Sequence, residues 1–305
     1  MKFSINLPPI DPFRLQAGWP YGYSDQYGAI YIAALYCGLN KPSKIPGYWQ
    51  HGVKGPWDQI TAGNITGHYP NLGKFKTFVA REDEKIVLQE EGVPLCEAIG
   101  LPFIYAPTPK TPDRIPDSLL VMPHHTVAGV KSFKNQADLE KYAKSIASLT
   151  KRFSNVSVCL HFGDFVNGYW KNIFQNLGIK CLLGGHPHDK NSIARVKTLM
   201  SSFEFVTSNA WGSHIAYSLS LGAKVSIWGE PCEQDLDRLE KDRGQGGRHT
   251  LEAKLSKDYK NNQDMFLRGL YRKPWEGVKN IDLGNYLIGY SSKKEPSALK
   301  ALFEW

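Results

Sequence analysis

The chain has 305 residues, of which 42% are hydrophobic and 22% charged, enough for two domains with separate cores and too apolar for a disordered or fibrous chain. Its formal net charge is +8, with no block of five like charges, so it suits phosphorylated or polyanionic partners without selecting one. No run of 18 apolar residues predicts a membrane span, and MKFSINLPPIDPF carries prolines and an acid where a signal peptide needs an apolar stretch; a cytoplasmic protein is expected.

In chain order, AIYIAALYCGL (29–39) reads as a buried helix, GYWQHG (47–52) as a strand with its exit loop, and FKTFVA (75–80) as a strand. REDEKIVLQEEG (81–92) reads as an exposed helix, followed by PLCEAIG and LPFIY. YAPTPKTPDRIPD (105–117) holds prolines at 107, 109, 112 and 116, which neither a helix nor a central strand accommodates, so a stiff connector between domains is expected there. SLLVMP (118–123) then predicts a strand, and a helix follows over 136–152, with Leu139, Tyr142, Ala143 and Ile146 on one face and a start at Asn135 and Asp138. VSVCLHF (156–162) is the next strand, Phe165 to Leu177 an amphipathic helix ended by Gly178, IKCLLGG a strand, and the stretch around Ile193 to Met200 a helix. FEFVTS (203–208), a helix over Gly212 to Leu221, and KVSIWG close the series. The charge-dense stretch at about 231–265 reads as a solvated helical insertion with a loop, or as a lid in which Arg243, Arg248 and His249 meet an anion.

Alternating strands and helices imply βαβ units and a parallel sheet. The expected class is α/β, with two Rossmann-like domains facing a cleft: residues 1–112, residues 113–290, and a tail at 291–305. The five cysteines (Cys37, Cys96, Cys159, Cys181, Cys232) are dispersed, with no CxxC pair, so neither a zinc ribbon nor a disulfide framework is predicted.

Ligands of open parallel sheets bind beyond the carboxyl ends of the strands. Those ends carry His124, His125 and Thr126, then His161 and Asp164, then His186 with His188 and Asp189, then Ser208 and Asn209, and finally Glu230. Six of the nine histidines (124, 125, 161, 186, 188, 214) fall on this edge. Helix capping is the competing explanation for Asp164, Asp189, Ser208 and Asn209. The junction TSNAWGSH, a glycine turn entering a helix, presents backbone N–H groups and the positive end of the helix dipole. It reads as a phosphate cradle: Gly212 admits the anion, Ser208, Ser213 and His214 add donors, and His186 contacts the same phosphate. No Walker A loop and no GxGxxG occur, which argues against ATP hydrolysis and NAD binding. A proline between His186 and His188 opposes joint chelation, so no metal site is expected. In GYWQHGVKGPWDQI (47–60), two tryptophans suit a sugar face, and His51 or Asp58 suits a general base; a packed loop with one capping aspartate is the alternative.

On GGHPHD, VTSNAWGSHIAYSLSLGAKVSIWGE, YWQHGV and VAREDEKIVLQEEGVPLCEAIGLPFIY, the chain resembles GT-B bacterial surface-polysaccharide glycosyltransferases. A His-Pro pair followed by a serine-containing helix start resembles the donor domains of sialyl- and Kdo-transferases. That resemblance implies a nucleotide-sugar co-substrate (CMP- or UDP-linked), no cofactor, and a glycan or lipid-linked acceptor; the basic charge suits peripheral association with an anionic membrane face, and the lack of interleaved basic and aromatic residues argues against a nucleic-acid partner. Nucleotide-sugar epimerases, polysaccharide pyruvyl transferases and a non-catalytic sugar-nucleotide binder are the alternatives on the same fold.

Overall fold

Among the described residues, every ladder between strands is parallel. The computed structural model describes residues 5–12, 25–58, 65, 74–107, 114–124, 133, 135–166, 168, 170–231 and 257–305. In chain order they form α1 (Ala29–Tyr36), β1 (Gly47–Trp49), β2 (Lys76–Val79), α2 (Glu82–Glu90), β3 (Cys96–Ala98), β4 (Ile115–Val121), α3 (Gln136–Ser148) and β5 (Asn155–Leu160). Then come α4 (Phe162–Val166), α5 (Lys171–Asn176), β6 (Lys180–Leu183), α6 (Ser192–Ser202), β7 (Phe203–Ser208), α7 (Ser213–Ser220) and β8 (Lys224–Ile227). The last elements are α8 (Lys257–Leu267), α9 (Ile281–Leu287) and α10 (Pro296–Phe303). The α/β class expected from the sequence is the one the chain adopts.

Contacts divide the chain into two units. The first comprises Met1–Lys110, Gly185–Thr198 and Asp282–Trp305, and the second Thr111–Gly184 and Leu199–Ile281. Two segments that the sequence reading gave to the second domain or to a tail, 185–198 and 282–305, thus belong with the first unit. Within that unit the reason is visible. Leu101 N–H donates to Ile288 O at 3.0 Å, and Phe303 of α10 packs on Trp49 and Phe78 with ring centroids 5.3 and 5.1 Å apart. Gly289 lies so close to Ala80 that a Cβ would stand 1.8 Å from its carbonyl oxygen. Its φ of 70° is the left-handed conformation that glycine adopts without strain.

The first unit's sheet has the order β1-β2-β3. Its core is built from Tyr48, Val79, Leu88, Val93, Cys96 and Ala98. Helix α2, read from sequence as exposed, buries Leu88 and Glu84 completely. Lys197 is also buried, at 5% exposure, with its ammonium 2.7 Å from Ala106 O and 3.4 Å from Phe103 O. Burial first, and the Lys293 charge second, lower its pKa to about 8. Carrying this charge costs about 3 kcal/mol relative to an ordinary lysine. Lys197→Met is therefore expected to stabilise the fold by roughly 1–2 kcal/mol at pH 7, after a loss of about 1 kcal/mol from the two carbonyl bonds. At pH 7 both folded and unfolded chains hold the proton. Between the folded and unfolded pKa values the unfolded chain holds more, so wild-type stability rises with pH and the advantage of the variant fades. Urea midpoints of both proteins across that range check this.

The second unit's sheet has the order β6-β5-β4-β7-β8, which is 3-2-1-4-5 in that unit's own strand sequence, the doubly wound arrangement. Leu139, Tyr142, Ala143 and Ile146 of α3 are fully buried, as their helical spacing predicts, against Leu119, Val121, Val158 and Phe205 of the sheet. Asn135 caps α3 by accepting the Asp138 N–H at 2.9 Å. Two expectations change here. Pro116 lies inside β4, in the interval from Ile115 to Leu119 where pairing with β7 is interrupted, and pairing with β5 begins only at Ser118. Its missing N–H is therefore not needed by either neighbour. The single helix expected from Phe165 to Leu177 is two, α4 and α5, because Gly168 between them adopts φ 72° with the Asn172 amide against it.

Cys37, Cys96 and Cys159 are buried and Cys181 is half-buried, none of them in a disulfide; Cys232 lies outside the described residues. Among the described residues no helix is long and apolar enough to cross a membrane.

Candidate functional site

In a doubly wound sheet, the crossovers leaving the two innermost strands depart to opposite faces and open a crevice at their carboxyl ends. Here those strands are β4 and β7, which pair from Leu119–Phe205 to Val121–Thr207. On the other side of β7, a buried hydroxyl pair joins it to β8, with Ser226 Oγ 2.8 Å from Thr207 Oγ1. Beyond them, Asn209, 5% exposed, accepts the His124 N–H through Oδ1 at 2.9 Å and donates through Nδ2 to Glu230 O at 3.1 Å. One amide therefore clamps the residues after β4, β7 and β8. Ser208 is fully buried and its Oγ accepts the Ala210 N–H at 3.4 Å. The Glu230 carboxylate is ion-paired with Lys141.

Helix α7 begins at Gly212, which has extended backbone and is followed by no side-chain cap. Ile215 N–H returns to Gly212 O at 2.9 Å. A Cβ on Gly212 would stand 2.7 Å from His214 Cε1 and 2.8 Å from its Nδ1, so the imidazole lies across the face that glycine leaves open. Ser213 is the first residue of the helix. The junction thus gathers Ser208, Asn209, Gly212, Ser213 and His214 on one edge of the sheet. His161 follows β5, and its Nδ1 accepts the Gly163 N–H at 3.4 Å. Asp164 lies within α4 and is buried, not at the cap position expected for it. His125 and Thr126 lie outside the described residues, as do Arg243, Arg248 and His249.

His186 is in the first unit. Its Nδ1 accepts the His188 N–H at 2.9 Å, which leaves the ring proton on Nε2 in the neutral form. Burial first, and the His188 charge second, lower its pKa, so the ring is a neutral donor at pH 7. The rest of its loop is a closed hydrogen-bond set. Ser192 Oγ accepts the His186 N–H at 2.8 Å and donates to His186 O at 2.7 Å. Asp189, fully buried, accepts N–H groups of Asp11 at 2.9 Å and Asn191 at 3.0 Å. Asp189 is thus a structural carboxylate that ties the loop ahead of α6 to Asp11.

The second cluster follows β1 in the first unit. Gln50 Oε1 accepts the Ala80 N–H at 3.0 Å, and Gln50 Nε2 donates to Gly52 O at 2.9 Å, so the loop is pinned on both sides of His51. Glu84 accepts the Ala80 and Arg81 N–H groups, each at 3.1 Å, and pairs with Arg81 Nη1 at 3.1 Å. Arg81, 3% exposed, passes the constraint on by donating to Lys54 O at 3.2 Å. His51 itself is exposed and faces the Tyr27 ring at 6.4 Å. It keeps surface to solvent while the chain crowds its other sides; that crowding, and secondly the Lys54 charge, lower its pKa to about 4. The imidazole is neutral at pH 7 at this value as at the ordinary one. Asp58 closes the turn back to Gly55, accepting its N–H at 2.5 Å while Asp58 N–H donates to Gly55 O at 2.9 Å. That local bond is the capping alternative. Gln50, Arg81, Glu84 and Tyr27 were missed by sequence reasoning. The Arg81–Glu84 spacing of three at the end of a strand was the available signal.

Among the described residues, no group of three or more His, Cys, Asp or Glu side chains could hold a metal ion. No family model matches the chain, and no curated protein is significantly similar to it. Among solved structures it is similar to a proposed UDP-N-acetylglucosamine 2-epimerase from Listeria monocytogenes, at 12% identity over 89% of this chain and 69% of that one, with a TM-score of 0.44. It is also similar to a glycosyltransferase from Rickettsia africae, at 11% identity over 95% and 79% of the two chains, with a TM-score of 0.29. Similarity at this level fixes no activity, and the α/β class rests on the sheets themselves.

Proposed function

We propose that the chain is a metal-independent glycosyltransferase of the GT-B kind, moving a sugar from a CMP- or UDP-linked donor to a cell-surface polysaccharide or lipopolysaccharide precursor. The observation that carries this reading is the start of α7 at Gly212, a position without a side chain, directly beyond the switch point of the doubly wound sheet. Backbone N–H groups and the helix dipole there suit a phosphate, and Asn209 holds the surrounding strand ends in one arrangement. The leaving nucleotide's charge would be stabilised by these fixed dipoles rather than by a cation. His51 takes the acceptor's hydroxyl proton, and its neutral ring is competent to do so at pH 7. Lipid-linked acceptors fit the net charge of +8, which favours contact with an anionic membrane face at the cytoplasmic side.

The test is an incubation with a panel of nucleotide sugars in the presence of EDTA, with membrane extract as acceptor and separation of nucleotide, sugar and product. Acceptor-dependent release of one nucleotide supports the reading. An isomerised sugar still bearing its nucleotide would instead make the protein an epimerase using the same junction. For a transferase, the acidic limb of kcat/KM is expected well below the ordinary imidazole value and towards 4, because the free enzyme's base must be deprotonated and its folded pKa is depressed. A limb at the ordinary imidazole value would remove His51 from that role.

A further inference from the structure

Tyr27 has φ 59° and ψ 18°, a left-handed backbone that a residue bearing a ring adopts only where its surroundings impose it. The next residue, Gly28, has φ 81° and adopts such a backbone without strain. The chain therefore places the strained conformation on the tyrosine although a glycine stands beside it. What imposes it is the loop that runs from His186 to Ser192. Tyr27 N–H donates to Pro187 O at 2.8 Å. Gly28 is pressed so close to the same loop that a Cβ would stand 2.1 Å from Lys190 O. The loop cannot easily yield, being closed by Ser192 Oγ on both backbone groups of His186 and by buried Asp189. The outcome is a half-buried tyrosine ring 6.4 Å from the His51 imidazole and inclined to it by 39°.

We infer that Tyr27 is a positioning residue for His51, and that the His186–Ser192 loop serves the base through it by fixing its backbone. The loop whose histidines attract attention in the sequence thereby acts on proton transfer without touching substrate. The competing role for Tyr27 is simply to begin α1. A residue serving only that purpose needs no ring against His51 and no left-handed backbone. The catalytic meaning of the contact rests on the reading of His51 as the base; the contact itself does not.

The experiment follows the His51 ring resonances of the full-length protein by proton–carbon correlation NMR, assigned with His51→Gln. Tyr27→Gly removes the ring while suiting the left-handed backbone, and Tyr27→Phe keeps the ring. The expected result is that the phenylalanine variant retains the His51 shift, whereas the glycine variant loses the ring-current displacement and the thermal transition is preserved. Should the glycine variant fail to fold, Tyr27→Asn, which tolerates the same backbone, supplies the same readout. A His51 resonance indifferent to loss of the ring, or equally displaced in the phenylalanine variant, would overturn the inference. If His51→Ala leaves sugar transfer intact while the resonance still responds to Tyr27→Gly, the base assignment falls and the positioning contact stands.

Discussion

His51→Ala is expected to lower kcat for sugar transfer by about 10²- to 10⁴-fold, the range for loss of a general base, with little change in stability because the side chain is exposed. Donor affinity should be unchanged, since the nucleotide is assigned to the junction of β7 and α7. The loss is therefore read in kcat and not in nucleotide binding. Asp58→Ala, by contrast, breaks the Gly55 turn and should cost stability of about 1 kcal/mol with a smaller effect on turnover. Rates of the two variants, compared under saturating donor, separate the base from the capping aspartate.

Glu84→Ala is expected to destabilise the protein by about 3–5 kcal/mol, measured as a lower urea midpoint at unchanged slope. Glu84 has no exposed surface and receives two backbone N–H groups and the Arg81 guanidinium. Burial pushes its pKa up even against that cation, so the carboxylate is costly to bury and held by its partners. Removing it strands Arg81, whose Nη2 already has no hydrogen-bond partner among the described residues, leaving the guanidinium its contact over the Tyr286 ring at 5.0 Å. Asp83 remains at 3.0 Å from Arg81 Nε, but it is exposed and offers only part of the compensation. Because Arg81 also bonds Lys54 O and Gln50 bonds Glu84 at 3.4 Å, the damage should reach the loop bearing His51. A variant with wild-type stability would show that this buried pair contributes nothing net.

The strands around the second-unit core were legible because their apolar runs are short and sharply bounded. FEFVTS coincides with β7 at both ends, and the predicted face of α3 is the buried one. Hydrophobic periodicity reports that a segment is buried, not which core buries it, and for that reason 185–198 and 282–305 were misassigned in chain order. Gly168, in a left-handed conformation, lies between two helices where continuous amphipathicity predicts one. Pro116 entered β4 because a break in pairing, invisible in the sequence, removed the need for its N–H. The turn from Ser208 to Gly212, between β7 and α7, was legible through its turn chemistry. The Asn209 clamp, the Arg81–Glu84 pair and the Tyr27 backbone depend on partners distant in sequence, and no local pattern announces them.

The central claim is a nucleotide phosphate at the start of α7, and the most direct test is the thermal transition of wild-type protein and Gly212→Val with CMP, UDP and GDP, each with and without EDTA. A ligand at 100 times its dissociation constant stabilises the folded state by about 2.7 kcal/mol. A Cβ at Gly212 would drive into His214 and obstruct the junction. The account predicts that a nucleotide raises the wild-type transition irrespective of EDTA, and that Gly212→Val, still folded, loses this response. No response in wild type, or an undiminished response in the variant, would contradict it.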